Sequence, residues 1–325
     1  MNAVRRAEHT PAAVAFALVA WLWWLPGVPA AAEPTAPPSA LALHAVAPGV
    51  FVHTGQQQVW SATNAGDVAN LGVVVGATCV AVIDSGGSPA LGAQLLAALR
   101  ARSDLPVCYV INTHAHPDHI LGNAAFAALD PRPRFVAHSR FTAALAAREP
   151  SYRAAVEREL RLSLGADEVV YPDITVEETL QLDLGGRTLT LRAWPTAHTD
   201  HDLSVHDDAA GVLFLGDLLF AGHLPVVDGR LLGWLAVMDE LAELPVRIAV
   251  PGHGPVSHAW PAALNLQRRY LSDVRDRIRN ALARDLSISE AVAAHADSGT
   301  EGWLLADEFH RRNLTAAFAE LEWEE

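Results

Sequence analysis

Ile111-Asn112-Thr113-His114-Ala115-His116-Pro117-Asp118-His119 sets four metal-capable side chains within six residues. The stretch directly follows Val107-Cys108-Tyr109-Val110-Ile111, an apolar run that predicts a buried strand. In an extended segment the imidazoles at 114 and 116 project to one side, while Pro117 turns the chain and sends Asp118 and His119 elsewhere. That arrangement suits two neighbouring metals better than one. Solvated histidines in a strand-end loop are the other reading, but three His and an Asp at this density are rare without a metal.

Around this stretch lies a chain of 325 residues, long enough for one large α/β unit or two small domains. Its 51% apolar content is inflated by the beginning. Arg5 and Arg6 precede a nearly all-apolar run from Ala12 to Val28, and Val28-Pro29-Ala30-Ala31-Ala32 offers small residues for cleavage. Residues 1–32 therefore read as a signal peptide, with export to the periplasm or beyond after cleavage near Ala32. A retained anchor is the alternative, since such a run sits at the lower edge of spanning length. The formal charge is -14, and no basic block interrupts it, which excludes nucleic acid as a substrate and points to a small molecule. Cys79 and Cys108 each lie at or near the start of an apolar run, and in an oxidising compartment they could pair, provided their backbones come close enough.

In chain order, residues 33–40 are a proline-rich leader expected to lack order. Strand-like runs follow at 41–46, 49–54, 69–75, 79–84 and 107–111, with a helix at 88–102 that has Pro near its start and Arg near its end. A short helix is expected at 122–129 and a strand at 134–137. Helical spacing then covers 141–148 and, separately, 152–162. Strands return at 174–176, 179–184 and 188–193, the last two joined by Gly185-Gly186, a hairpin signal. Further strands are expected at 203–205, 212–215 and 246–250, with a helix at 229–243 and mostly helical sequence beyond 257. Two strand-rich halves, each accompanied by helices, predict an α/β protein of two facing sheets with helices outside.

Three more metal-capable residues stand just past apolar runs in the second half: His198, Asp217 and His253. With the first cluster they make seven, enough for a two-metal hydrolytic site. His223, close behind Asp217, is a candidate for the substrate pocket. His138 could serve a structural hydrogen bond, and Asp202 or His201 could support a ligand. Trp194 and Trp234 read first as core.

Thr113 to His119 matches the histidine motif of the metallo-β-lactamase superfamily throughout. Ala197-His198-Thr199, Gly216-Asp217 and Pro251-Gly252-His253-Gly254 match its later motifs in order, and Ile83-Asp84-Ser85-Gly86 its early one. The chain resembles that superfamily over residues 45–260. The resemblance implies a four-layer αβ/βα sandwich over 41–256, with a C-terminal helical extension, 257–325, packed on it. It implies that His114, His116 and His198 hold one Zn²⁺, that Asp118, His119 and His253 hold a second, and that Asp217 bridges them. Asp84 would orient a ligand. The implied activity is hydrolysis of an ester, thioester, lactone or related bond by a hydroxide held between the metals, with Asp118 orienting it and carrying its proton. Within the superfamily the chain is similar to the quinoprotein relay system zinc metallohydrolases, which implies a link to a periplasmic quinoprotein dehydrogenase or its cofactor. Pro48 to Gly55, Leu215 to Phe220, Asp228 to Trp234 and the tail from Asn313 to Glu324 carry that likeness.

Asp217 is a departure, because familiar zinc β-lactamases place Cys or Ser there, so a β-lactamase is a lesser alternative. Thr199-Asp200-His201-Asp202 also replaces the usual Pro-Gly-Ser stretch. An iron-dependent oxygenase or redox enzyme on the same ligand frame is a further alternative, and a non-catalytic accessory protein another.

Overall fold

Strands rich in Val, Leu and Ile build two sheets in the computed structural model, which describes residues 41–324. The expected signal peptide at 1–32 and leader at 33–40 lie outside the described residues. The first sheet holds β1 (His44–Ala47), β2 (Val50–His53), β3 (Leu71–Val75), β4 (Val80–Ile83), β5 (Val107–Ile111), β6 (Arg134–His138) and β7 (Ile174–Val176), side by side in that order. β1 to β4 pair antiparallel, and β4 to β7 parallel. The second sheet holds β8 (Thr179–Asp183), β9 (Thr188–Ala193), β10 (Leu203–Asp207), β11 (Val212–Phe220) and β12 (Ile248–His253), ordered β12-β11-β10-β9-β8. Only β11 and β12 run parallel there.

Helices cover both outer faces. α1 (Pro89–Arg100), α2 (Pro117–Ile120), α3 (Asn123–Ala127) and α4 (Phe141–Ala155) accompany the first sheet. α5 (Leu231–Ala242), α6 (Asn265–Leu282), α7 (Ile288–His295) and α8 (Ala306–Leu321) accompany the second. Alternation explains why β4 is apolar throughout: Ala81 and Ile83 enter the core between the sheets, while Val80 and Val82 face Leu91, Leu95 and Leu99 of α1. On the far side, Trp234, Leu271, Val274 and Leu314 from α5, α6 and α8 pack on Leu213, Leu215 and Ala249. The result is helix, sheet, sheet, helix, the expected αβ/βα sandwich. Among the described residues no helix is long and apolar enough to cross a membrane.

Most expected elements are present, and three differ. The two helices expected at 141–148 and 152–162 are one, α4, which runs through Pro150 and continues as a π-helical turn at Val156–Leu160. Pro150 removes one backbone donor, but Phe141, Leu145, Val156 and Leu160 form a single apolar face that keeps the helix seated. The strand expected to stop at 215 continues to Phe220, because Gly216 adopts φ +51° and shifts the register against β12 instead of ending the pairing. The last strand likewise carries on to His253, so Asp217 and His253 lie within paired strands rather than beyond them.

Cys79 and Cys108 are disulfide-bonded, with Cα atoms 5.8 Å apart. Register explains it. Val80 pairs with Val107 but Ala81 with Tyr109, so Cys108 is the extra residue of a bulge that swings it toward Cys79. Denatured protein kept free of reductant should accordingly show no reactive thiol, and a titration finding two would contradict the pairing.

Arg187 links the sheets. Its guanidinium grips the buried Asp207 carboxylate through Nε and Nη2 at 3.0 and 2.6 Å, and its Nη1 donates to the carbonyls of Pro48 and Val75 in the first sheet.

Candidate metal centre

Every strand-end residue singled out in the sequence converges at one end of the sandwich. β5 delivers Thr113 and His114, the turn into α2 delivers His116, Asp118 and His119, β11 supplies Asp217 and β12 supplies His253. His198 comes from the loop between β9 and β10. Two groups form, His114, His116, His198 and Asp217 in one, and Asp118, His119 and His253 in the other, with ligand-capable atoms of each group within 4.8 Å of one another. Asp217 lies between them. Its Oδ1 is 3.2 Å from His119 Nε2 and 3.3 Å from His253 Nε2, while its Oδ2 is 3.4 Å from His198 Nε2 and 3.7 Å from His114 Nε2. Asp118 Oδ2 stands 3.4 Å from His253 Nε2 and 3.6 Å from His119 Nε2.

The outer nitrogen of each ring is tied down. His119 Nδ1 donates to Asp84 Oδ2 at 2.8 Å, and His116 Nε2 donates to Asp228 Oδ2 at 3.1 Å. His198 Nδ1 donates to the Val226 carbonyl, and His253 Nδ1 to that of Val68. Thr113 Oγ1 accepts from His114 Nδ1 and passes its own proton to Asp84 Oδ2. Asp84, held at φ +55° just past β4, thus orients two rings, one directly and one through Thr113. With the outer nitrogens as donors, the inner nitrogen of each ring in its neutral form carries a lone pair.

Those lone pairs face one another. His116 Nδ1 is 3.0 Å from His114 Nε2 and 3.1 Å from His198 Nε2, and neither pair has a proton to share. His119 Nε2 and Asp217 Oδ1 are buried 3.2 Å apart, without a well-formed hydrogen bond to any other group. Crowded acceptors and orphaned polar atoms at this depth cost several kcal/mol, roughly 1–3 for each unsatisfied group, unless cations lie among them. Three neutral imidazoles with a carboxylate, and two imidazoles with two carboxylates, are the donor chemistry of zinc or iron. The residues therefore fit a pair of metal ions.

Electrostatics divides the two groups. Burial, reinforced by the neighbouring His119 charge, holds the His114 ring well below its ordinary range, and burial pushes His198 down to about 3. Burial also opposes protonation of His119, but Asp217, Asp118 and Asp84 outweigh it and hold this ring well above the usual value. Burial disfavours the Asp217 carboxylate, yet His253, His119 and His114 around it keep its carboxyl well below the usual range. The second group is thus where positive charge is most favoured.

His223 is buried, donates from Nδ1 to the Leu224 carbonyl and stacks on the His253 ring with centroids 5.1 Å apart. Trp194 and Trp234 are core, and Trp234 lies 5.4 Å from the His198 ring. Asp202 accepts from both the amide and hydroxyl of Thr199, fixing the turn after His198, and burial pushes its carboxyl up to about 8. His201 pairs through Nδ1 with Asp200, and His138 Nδ1 accepts from the amide of Arg140.

Sequence reasoning missed the part played by Asp228. Besides His116 it binds Arg148 of α4, and it accepts from Arg312 of α8 at 2.8 Å. A lone Asp before Gly229 reads as an ordinary turn residue, and both arginines are distant in sequence. Burial works against its ionisation, but His116 and Arg148 hold the carboxyl far below the usual range.

The loop supplying Val68 is anchored by His53 Nε2, 2.7 Å from Asp67 Oδ1. Burial lowers the His53 pKa, but Asp67 overrides it and the net shift is upward. A pKa raised on folding stabilises fully below the unfolded value of about 6.5 and fades as pH climbs through the folded one. His53→Gln should therefore cost about 1 kcal/mol at pH 6 and less at pH 9, read from urea midpoints. A penalty that grows with pH would contradict the pairing.

Comparison with known proteins agrees with this architecture. No curated protein sequence matches at a significant level. Among solved structures, the stereoselective inverting sec-alkylsulfatase Pisa1 from Pseudomonas sp. superposes with a TM-score of 0.65 at 16% identity, covering 87% of this chain and 50% of its own. This chain thus spans about half the length of that enzyme. A metallo-beta-lactamase from Pontibacter korlensis gives 0.58 at 20% identity, over 72% of this chain and 99% of its own. The DIM-1 metallo-beta-lactamase gives 0.55 at 16%, over 72% and 98%. At such identities these likenesses speak for the fold alone. The sequence profile of the family described as "Metallo-beta-lactamase superfamily" matches residues 65–253, more than half the chain and a span containing all seven converging ligand candidates, and to that superfamily the chain belongs.

Proposed function

We propose that the protein is an exported, zinc-dependent hydrolase of an ester, thioester, lactone or related bond. The single observation that carries this reading is Asp217, which turns one oxygen toward each group of imidazoles and so suits a bridged pair of ions. Purely structural zinc closes at four ligands and has no use for such a bridge. When bound, a zinc pair supplies Lewis acidity and a water of lowered pKa.

The chain's own residues do the rest. Asp84, Asp228, Thr113 and the carbonyls of Val68 and Val226 fix each ring with its lone pair inward, so no reorientation is needed during the reaction. Asp118, with a side chain 19% exposed, is the most open acidic member of the centre and is placed to take a proton from the attacking water and return it to the leaving group. Export agrees with the Cys79–Cys108 disulfide, since such bonds persist outside reducing compartments. A role beside a quinoprotein dehydrogenase rests on the likeness carried by Pro48 to Gly55, Leu215 to Phe220, Asp228 to Trp234 and the tail from Asn313 alone, and co-purification with such an enzyme is its test.

Zinc-loaded protein offered carboxylic esters, thioesters, lactones, phosphodiesters, alkyl sulfates and a chromogenic β-lactam should turn over one of the first three classes. Chelation should abolish the activity and Zn²⁺ restore it. Recovery by iron alone would favour the oxygenase reading, and inertness on the whole panel with two zincs bound would defeat the hydrolase.

A further inference from the structure

His116 and Asp118 are the members of the centre that most reach solvent, with side chains 17% and 19% exposed, so an incoming molecule meets the site on their side. α4 borders that side. Arg148 and Tyr152 stand one turn apart on a single face of it. Arg148 binds the same Asp228 carboxylate that His116 meets. Tyr152 packs with the cluster of Ala115, Ile120 and Leu121, the apolar residues interleaved with the histidine motif. Its hydroxyl is shut from solvent and meets no acceptor: the Arg148 guanidinium beside it can only donate, and the other charges that act on it are those of Asp228 and Asp118. Such a hydroxyl, buried beside a guanidinium, is a donor awaiting an acceptor. The carboxylate beside it, Asp228, is already met by two guanidiniums, Arg148 and Arg312.

We propose that Arg148 and Tyr152 form a subsite for an anionic oxygen group, carboxylate, sulfate or phosphate, that the substrate carries away from its scissile bond. The subsite deepens the hydrolase reading and rests on it for its purpose. Arg148 supplies charge and Tyr152 a directed O–H, a pair that holds an oxyanion more tightly than a neutral carbonyl.

Two esters with one leaving group test this, 4-nitrophenyl acetate and mono-4-nitrophenyl succinate, with succinate itself titrated calorimetrically into zinc-loaded protein. The wild type should favour the anionic ester in kcat/KM by about tenfold or more, one charge-assisted hydrogen bond's worth. In Tyr152→Phe that ratio and the succinate affinity should each fall about fivefold or more, with zinc content still two per chain. An unchanged ratio, equal succinate affinity in the two proteins, or a wild type that prefers acetate would overturn the subsite. Absence of turnover on either ester, with succinate binding still dependent on Tyr152, would instead strike the ester-hydrolase reading and leave the subsite standing. Sulfate and phosphate titrated in parallel identify which oxyanion it takes.

Discussion

Replacing Asp217 by Asn is expected to leave a folded protein that holds about one zinc per chain and has lost on the order of a thousandfold in kcat/KM. The carboxylate offers an oxygen to each imidazole group, Oδ1 at 3.2–3.3 Å from His119 and His253 and Oδ2 at 3.4–3.7 Å from His198 and His114. An amide keeps one acceptor and puts N–H donors where the other was. One group of rings then meets a donor where a cation belongs. The negative charge that balances the ion pair is lost as well. A loss of about 4 kcal/mol in transition-state stabilisation corresponds to that thousandfold. Metal analysis after gel filtration gives the stoichiometry, and near-UV circular dichroism checks the fold. Full zinc content together with more than a tenth of wild-type activity would refute the bridging role. Gly252→Ala approaches the same carboxylate from its neighbour, since a Cβ at 252 would run into Asp217 Oδ1. Loss of metal is expected there too, with both ligands of β12 and β11 still present in name.

Arg187→Met should cost about 3–5 kcal/mol of stability, the largest effect expected anywhere outside the metal centre. Asp207 is fully buried in β10, and the Arg187 fork is its charged partner, 3.0 and 2.6 Å away. Without the guanidinium an ionised carboxylate stays in the core unpaired. The carbonyls of Pro48 and Val75 lose their donor as well. The double variant Arg187→Met, Asp207→Leu removes both charges and should recover most of the loss, because breaking a buried pair costs far more than replacing it. Urea denaturation of the two variants measures the difference. A single-variant penalty under 1 kcal/mol would show that water reaches Asp207.

The convergence of the candidate ligands was largely legible because these residues are chemically conspicuous where they stand. Three histidines and an aspartate beside a β-strand announce themselves, and His198, Asp217 and His253 each follow an apolar run closely enough to share one end of a sheet. Asp84 was legible only by resemblance. What stayed hidden depends on partners remote in sequence. Asp228 matters because Arg148, 80 residues before it, and Arg312, 84 after, close on it in three dimensions. The extension of β11 past 215 was masked by Gly216, which reads as a stop but acts as a bulge, since β12 re-pairs beyond it. α4 looked like two helices because Pro150 is a local signal, whereas the apolar face that joins them is a tertiary one. The disulfide was open for the same reason: hydrophobic pattern gives strands, not the one-residue slip that swings Cys108 into reach.

α8 does more than blanket the second sheet. Asn313 bonds the amide of Val227 and the carbonyl of Pro225, Arg312 holds Asp228, and Glu320 accepts from the amides of Leu231 and Leu232. The segment clasped in this way carries both the carbonyl that steers His198 and the carboxylate that steers His116. An expression fragment trimmed to the profile-matched span would keep all seven ligand candidates and still lose the brace that aims two of them.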